Sequence, residues 1–541
     1  MAMVLFGAAC TGGGAEEVAG PDATAGGTPT STPTDDHDIP LNEGTPVFPE
    51  GAVVLRVAIP EPATLDPMRV GDPGSVLIVR QLFQGLTRWD PSTQEVVPAA
   101  AESWSEENDG RRWVFTLRRG MTFHDGKAVT ANDFKFAFDR IALRRNASDI
   151  AYTLERVKGF LDVNQLGDVK QLKGVKVIDD YTLQIDLDEP FYDLPAVMTH
   201  PGLVPVPKKA VENIDRFLAF PVGNGPFQMA TPWASGTEVD LEPFDGALET
   251  PAIDGLRFIP FSDASESWLL FRDDAIDISE VPIGQFEAAA EEFGDEGYQP
   301  FLAGYYYGFN LDAASLRNKR LRKAVNLAID RDRIAEEIYG GSMAPPRGIV
   351  PEGMPGFEDD ICTELCNFDP DEAERLVRKL SKKERSITLD FTRGEPHGEV
   401  AAEIKSDLEE VGFEVKAKGY RFEPYLKRLR NGDHRFFRFG WIAEFPVPDV
   451  FLSSLFEGQS PDNQTAFQNQ KIDALLRRAH AEKSPEKRLE LYLKAERRIL
   501  AEVPVVPIGS FVIHWVAQPE VDGLEFDVMG GFDAVGITLT E

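Results

Sequence analysis

The sequence predicts an α/β protein, because strand and helix patterns alternate through one long region of the chain. The strand patterns are rich in aliphatic and aromatic residues. The longer helical pattern repeats apolar residues on one face from Val400 to Val411, and Gly412 ends it. Strands joined by helices predict a mostly parallel sheet covered by helices. The runs are strand 387–391, helix 400–411, strand 413–417, helix 425–429 and strand 436–442.

Length and composition indicate several domains with hydrophobic cores. The 541 residues suffice for several domains at roughly 150 residues each, and 42% hydrophobic residues exclude a disordered protein. The net charge of -34 disfavours nucleic acid and broad contact with anionic lipid. No stretch of about 18 apolar residues occurs, so the sequence predicts no membrane span. Three cysteines are too few for a disulfide scaffold.

Further elements lie on both sides of the alternating unit. Asp330 can cap a helix that ends at Gly340-Gly341, and Ser484-Pro485 can begin another. Because strands follow a complete α/β unit, we expect the chain to return to its first domain. The expected strands are 52–59, 111–117, 180–187, 505–515 and one beyond 520, and the expected helices are 131–144, 321–328, 469–481 and 485–501.

The first 50 residues predict a lipid anchor and a tether. Residues 1–10 are apolar, end in small residues and stop at Cys10, which resembles the tail of a bacterial lipoprotein signal. No basic segment precedes the apolar run, so we expect Met1 to be internal. Residues 11–50 contain no Lys or Arg and predict a disordered tether. A stable anchor would need more than one acyl chain on Cys10. The alternative is an apolar N-terminus without lipid.

The end of the strand over 436–442 is the best place in the sequence for a ligand. Ligands of open α/β sheets bind beyond the carboxyl ends of strands, and this strand runs directly into Glu444 and Phe445. A carboxylate among apolar residues needs a cation, which a ligand ammonium would supply. Arg438 could hold a ligand carboxylate, with Trp441 as an aromatic wall. The alternative is a solvated loop acid and a charge at the strand edge.

Many short motifs occur in a fixed order along the chain. They are Leu65-Asp66-Pro67, 81–86, Ala101-Glu102-Ser103-Trp104, 115–126, 130–134, Gly223-Asn224-Gly225-Pro226-Phe227, Ala275-Ile276-Asp277-Ile278, Phe309-Asn310, 322–331 and 368–373. In this order they resemble the extracytoplasmic solute-binding proteins, family 5, of peptide and nickel ABC importers. The resemblance covers about residues 51–541.

The resemblance implies a two-lobed periplasmic-binding-protein-like fold (type II, cluster C) with an extra inserted domain. Two lobes would close over a ligand by a hinge motion. The implied divisions are lobe I over 51–93, 219–302 and 508–541, domain II over 94–218, and lobe III over 303–507.

The resemblance also implies the ligand-binding residues. In peptide-binding members an Asp after the Gly-Trp strand binds the peptide amino group, and Glu444 holds that position in Gly440-Trp441-Ile442-Ala443-Glu444-Phe445. The longer side chain keeps the charge and shifts it by one methylene. Arg438 matches a basic residue that contacts the ligand carboxylate, whereas residues 242–246 depart from the usual Asn-x-x-Tyr-Trp. The predicted ligand-binding residues are Glu444, Arg438, Trp441, Phe445, Tyr306 and Asn310.

Other chemistry has little support in the sequence. His124-Asp125 is typical of a hairpin turn, and the seven histidines show no metal-ligand spacing, so we predict no cofactor and no metal site. No nucleophile motif, Walker loop or dinucleotide fingerprint stands out. In an oxidising compartment we expect Cys362 and Cys366 to form a local disulfide.

The sequence therefore predicts a binding protein rather than an enzyme. We expect a monomer on the outer face of a bacterial cell membrane, or in the periplasm, that delivers peptides to the transmembrane subunits of an ABC importer. One alternative keeps the fold and binds an oligosaccharide, a metal chelate or a signal molecule. A periplasmic hydrolase is a second alternative, without a visible set of catalytic residues.

Overall fold

A computed structural model describes residues 47–394 and 396–540. The predicted lipidation site Cys10 and nearly all of the predicted tether lie outside these residues. The described strands are β1 (Val54–Pro60), β2 (Thr87–Asp90), β3 (Glu95–Pro98), β4 (Ala101–Glu107), β5 (Arg112–Leu117), β6 (Val175–Asp179), β7 (Thr182–Asp186), β8 (Phe227–Met229), β9 (Val239–Pro243), β10 (Gly255–Phe261), β11 (Ile278–Glu280), β12 (Tyr298–Phe309), β13 (Met343–Ala344), β14 (Ser386–Thr392), β15 (Glu414–Tyr420), β16 (Phe436–Ile442), β17 (Val505–Ala517), β18 (Val521–Asp522) and β19 (Thr538–Leu539).

The described α-helices agree with the periodic patterns of the sequence. They are α1 (Pro73–Leu82), α2 (Ala131–Ala142), α3 (Leu194–Val197), α4 (Ile214–Ala219), α5 (Ala264–Arg272), α6 (Phe286–Phe293), α7 (Lys319–Ala328), α8 (Arg331–Arg333), α9 (Thr363–Cys366), α10 (Pro370–Val377), α11 (His397–Glu410), α12 (Phe422–Arg430), α13 (Asp449–Phe456), α14 (Gln470–His480) and α15 (Pro485–Glu502). The predicted caps are confirmed, since Asp330 accepts from Arg333 N and Ser484 accepts from Lys487 N.

One large sheet runs through the molecule in the order β15-β14-β16-β12-β17-β11-β1-β10-β9-β8, with β13 paired to β17. The long strands β12 and β17 join its two halves, because β17 pairs first with β12 and then, at its end, with β11. The register of the β12–β17 pair shifts between Pro300 and Gly304. Such irregularities bend strands, and this one lies where the sheet passes between the predicted lobes I and III.

The predicted strand–helix alternation and the predicted parallel sheet over 387–442 are confirmed, and the larger sheet that contains this unit is mixed. Strand β14 pairs in parallel with both β15 and β16. Strand β12 is antiparallel to β16 and to β17. The reason is topological, since β12 carries the chain into the predicted lobe III and β17 carries it back out. These two strands must therefore run in opposite directions.

The predicted domain II contains a separate antiparallel sheet in the order β4-β5-β7-β6. Helix α2 packs beside it and begins with a capping box, in which Thr130 and Asp133 bond each other's backbone N–H groups. A short 3-10 turn, Ala151–Leu154, and the region around α3 follow. Residues of these two stretches reach from the predicted domain II across to the predicted lobe III.

Strand β16 separates two hydrophobic clusters, because its side chains alternate between the faces of the sheet. Phe437, Phe439 and Trp441 belong to the larger cluster, which also extends through lobe I and domain II. Phe436 belongs to a second cluster under the helices of lobe III. The two faces of the strand therefore contribute to different hydrophobic clusters.

Two further observations bear on the sequence predictions. None of the described helices combines the length and the hydropathy that crossing a membrane requires. Cys362 and Cys366 are joined as a disulfide around the single turn of α9, with their Cα atoms 5.4 Å apart.

Candidate functional site

The candidate site forms around Glu444, two residues beyond the end of β16. Its side chain is 13% exposed, and its Oε2 atom lies 2.8 Å from Nε2 of His200. The same oxygen accepts a hydrogen bond from the hydroxyl group of Tyr152. Both partners belong to the predicted domain II. Glu444 therefore connects lobe III to that domain.

The hydrogen bonds of His200 fix its tautomer. The backbone N–H of Gly202 donates to Nδ1 of the ring at 3.0 Å, so Nδ1 carries a lone pair. The ring proton is then on Nε2, where it donates to Glu444. His200 itself is 1% exposed. In this arrangement His200 is a neutral donor and supplies no positive charge to the carboxylate.

The hydrogen bonds to Glu444 favour its ionised form. Burial raises the pKa of its carboxyl group, whereas the hydrogen bonds that His200 and Tyr152 donate to it lower that pKa. Burial and the neighbouring Glu444 raise the pKa of the Tyr152 hydroxyl group, which keeps it protonated as a donor. The site thus holds a negative charge on two neutral donors.

A second carboxylate on the same loop provides a direct contrast. Asp449 begins α13 and lies 3.0 Å from the guanidinium of Arg156 and 2.6 Å from Nε2 of His480. Arg156 follows Tyr152 closely in domain II, so one segment of that domain reaches both carboxylates. Asp449 thus has a cation, whereas no Lys or Arg of the described residues pairs with Glu444.

The aromatic residues predicted for the site lie on one face of the sheet. Trp441 and Phe445 are buried beside Glu444. Tyr306 on β12 stacks on Phe439 with ring centroids 5.2 Å apart, and its hydroxyl group donates to the carbonyl oxygen of Ile349. Among the described residues, Nε1 of the buried Trp441 indole has no hydrogen-bond partner. These aromatic side chains form an apolar surface, and the indole N–H of Trp441 is a donor on it without a partner among the described residues.

Arg438 lies on the opposite face of β16 from Trp441. Its guanidinium is 4.8 Å from the ring centroid of Tyr305, and the residue is 3% exposed. Its Nε and Nη1 atoms, and the hydroxyl groups of Tyr307 and Tyr339, have no hydrogen-bond partner among the described residues. His397 lies beside this cluster, where burial and then Arg438 lower its pKa to about 3. The cluster is rich in donors and has no carboxylate.

The backbone of β16 is open along part of one edge. β14 pairs with β16 only at Phe436 and Phe437, and no described strand pairs with the rest of that edge. Ala443 N donates to Leu302 O, so the backbone groups of Ala443 face β12. Backbone groups of successive residues face opposite edges of a strand, so those of the alternate residues before Ala443 face the open edge. The N–H and C=O groups of Gly440 and Ile442 lie on this edge.

Two residues singled out in the sequence have internal roles. The Asn310 amide donates to the carbonyl oxygens of Gly432 and His434 and accepts from Asp312 N. The structure therefore does not bring Asn310 to Glu444. His124 lies in a hairpin closed by the antiparallel bridge between Thr122 and Ala128, and its Nδ1 accepts from Gly223 N.

Sequence reasoning missed Tyr152 and His200. They lie 292 and 244 positions from Glu444 along the chain. Neutral donors have no spacing pattern that would single them out, so only the folded structure brings them to the site. Among the described residues no group of three or more His, Cys, Asp or Glu side chains could hold a metal ion.

Comparison with known proteins decides the family. Residues 95–463, more than half of the chain, match the model of the bacterial extracellular solute-binding proteins, family 5 (middle region). The chain belongs to this family. The predicted two-lobed fold is confirmed by the structure of the Escherichia coli murein tripeptide binding protein MppA, with a TM-score of 0.73 and 24% identity over 92% of this chain and 100% of that one.

Two relatives of this solute-binding protein are named for different ligands. The oligopeptide-binding protein OppA of Bacillus subtilis is 28% identical over 502 residues, which cover 88% of this chain and 90% of that protein. The probable deoxycholate-binding periplasmic protein YgiS of Escherichia coli is 27% identical over 509 residues, which cover 90% and 92%. The family thus includes proteins named for a peptide ligand and for a non-peptide ligand.

Proposed function

We propose that this solute-binding protein captures peptides by their free amino terminus between its lobes and delivers them to the membrane subunits of an ABC importer. The observation that carries the proposal is the buried negative charge of Glu444, held by two neutral donors and by no described cation. A buried charge is costly unless it is paired. The ammonium group of a peptide is the cation that the site lacks.

The open edge of β16 supports a peptide in particular. An extended peptide can add to an exposed strand edge through main-chain hydrogen bonds, and Gly440 and Ile442 offer such groups next to Glu444. Gly440 has no side chain to obstruct a close backbone approach. The unused donor of Trp441 is suited to a ligand carbonyl group.

We assign the peptide carboxylate to Arg438. A guanidinium with free N–H groups and no carboxylate partner is a strong site for such an anion. Six residues of extended chain separate Arg438 from Glu444, which is at most about 20 Å. A ligand that reaches both has about six residues or fewer.

A non-peptide ligand is the second candidate, because the relative YgiS is named for deoxycholate. Deoxycholate has a carboxylate that could reach Arg438, but it has neither an ammonium group for Glu444 nor amides for the edge of β16. A sugar would also leave Glu444 without a cation. The peptide therefore accounts for more of the site.

The proposal includes an anchored, monomeric receptor outside the cell membrane. The family is named for extracellular proteins, and Cys10 with its tether provides a means of attachment. Mass spectrometry of Cys10 peptides from native cells would find diacyl or triacyl modification. Unmodified peptides would contradict the anchor and leave the ligand assignment intact.

The test of peptide binding uses Glu444→Gln, which keeps the shape of the side chain and removes its charge. We expect binding of free tetrapeptides to weaken by about 2–5 kcal/mol, as for the loss of a buried charge pair. Equilibrium dialysis with a random tetrapeptide pool, read by mass spectrometry, measures this. Glu410→Gln, an exposed carboxylate on α11, is the matched control for net charge. Equal binding by the wild type and Glu444→Gln would contradict the proposal.

A further inference from the structure

The amino-terminal subsite is assembled from two bodies of the fold. Glu444 comes from lobe III, whereas Tyr152 and His200 come from domain II. The ion pair between Arg156 and Asp449, at 3.0 Å, holds the same two bodies together beside the subsite. The two donors therefore reach Glu444 only while domain II and lobe III are in contact.

Two further acidic groups lie near the donor Tyr152. Asp462 and Glu155 interact electrostatically with Tyr152, as Glu444 does. Asp462 lies in the loop after α13, and Glu155 follows the turn that carries Tyr152. The remaining groups in contact with Glu444 are the neutral hydroxyl group of Tyr152 and the neutral ring of His200. A subsite of acids and neutral donors favours a cation over a neutral group.

Resting on the proposed function, we propose that Tyr152 and His200 are specificity-determining residues, which hold Glu444 so that the closed site accepts a charged amino terminus and rejects a blocked one. Both donors bind Oε2, and no described residue donates to Oε1. The ligand ammonium then binds the remaining oxygen of an oriented carboxylate. An acetylated terminus keeps an N–H group but brings no charge, so it leaves Glu444 uncompensated.

The discrimination is tested with two tetrapeptide pools of the same random composition, one with free amino termini and one N-acetylated. Equilibrium dialysis of the full chain gives the ratio of the two affinities. We expect the wild type to prefer the free pool by about a hundredfold. His200→Leu removes one hydrogen bond to a charged group and should reduce the preference by about tenfold or more. His200→Gln retains an N–H donor and should restore most of it.

A pH profile distinguishes positioning from a merely structural role. The affinity for the free pool is present above the pKa of Glu444 and is lost as the pH falls through it. His200→Leu removes a contact that lowers this pKa while the burial that raises it persists. The acid limb of the affinity profile should therefore lie at a higher pH in His200→Leu than in the wild type.

Tyr152→Phe is the second variant, because it removes one oxygen atom and is less disruptive than a change at the buried His200. Tyr192→Phe, another tyrosine of domain II that does not contact Glu444, is its matched control. The inference is overturned if wild type, His200→Leu and Tyr152→Phe share the same preference and the same acid limb. If the wild type binds neither pool, or both equally, the proposed amino-terminal anchoring itself fails.

Discussion

The ion pair between domain II and lobe III gives a stability prediction that the structure makes quantitative. Asp449 is 9% exposed and is held by Arg156, His480 and the hydroxyl group of Ser453. Asp449→Asn keeps the shape of the side chain and removes the carboxylate with which Arg156 forms its ion pair. Breaking a fully buried pair costs about 3–5 kcal/mol. Because the Arg156 side chain is 25% exposed and can regain water, we expect a loss of about 2–3 kcal/mol at pH 7.

The free energy of unfolding that Asp449→Asn removes should depend on pH in a defined direction. Burial raises the pKa of Asp449, but His480 and Arg156 lower it more, and the net shift is downward. A carboxyl group with a lowered pKa stabilises the fold above the unfolded-state pKa of about 3.9 and loses this contribution as the pH falls further. The difference between wild type and Asp449→Asn should therefore be full at pH 7 and smaller at pH 3.

Urea unfolding followed by tryptophan fluorescence measures this difference at both pH values. Asp433→Asn, at an exposed carboxylate of lobe III, is the control and should change the free energy of unfolding by less than about 0.5 kcal/mol. A difference at pH 7 as small as that of the control would refute the assignment of Arg156 to Asp449. An equal difference at pH 7 and pH 3 would refute the role of the charge.

Three further predictions concern separate parts of the molecule. Arg438→Met should weaken binding of tetrapeptides with a free carboxylate by about tenfold or more and leave binding of C-terminally amidated tetrapeptides unchanged. Equilibrium dialysis measures both affinities. Equal losses of affinity for the two kinds of peptide would contradict the carboxylate assignment. Gly304→Ala should lower the free energy of unfolding in urea by about 1–3 kcal/mol, since its Cβ would collide with the hydroxyl group of Tyr306; an unchanged value would mean that the strand adjusts freely. Titration of unreduced, denatured protein with a thiol reagent should detect neither Cys362 nor Cys366, and two reactive thiols at these positions would exclude the bridge.

Local features of this chain could be predicted because they depend on neighbouring residues. The helix after Ser484-Pro485 and the strand over 436–442 lie where capping and apolar runs indicate. The position of Glu444 beyond a strand end also follows from the sequence alone. Such features depend on residues of a single helix or strand, so the pattern of residues along the sequence predicts them.

Features that depend on distant parts of the chain could not be predicted. The direction of β12 follows from its passage between lobes, which no periodicity reveals. Tyr152 and His200 reach Glu444 through the packing of domain II, and Asn310 turns to backbone groups near His434. Such contacts are decided by tertiary packing.

Native mass spectrometry of the purified protein tests the central claim most directly. The account predicts that the wild type carries a mixed set of short peptides with free amino termini, and that Glu444→Gln, purified in the same way, carries few or none. By mass action the bound peptides should also raise the melting temperature of the wild type over a peptide-free preparation. A single non-peptide mass, or an equal peptide load on the wild type and Glu444→Gln, would contradict the account.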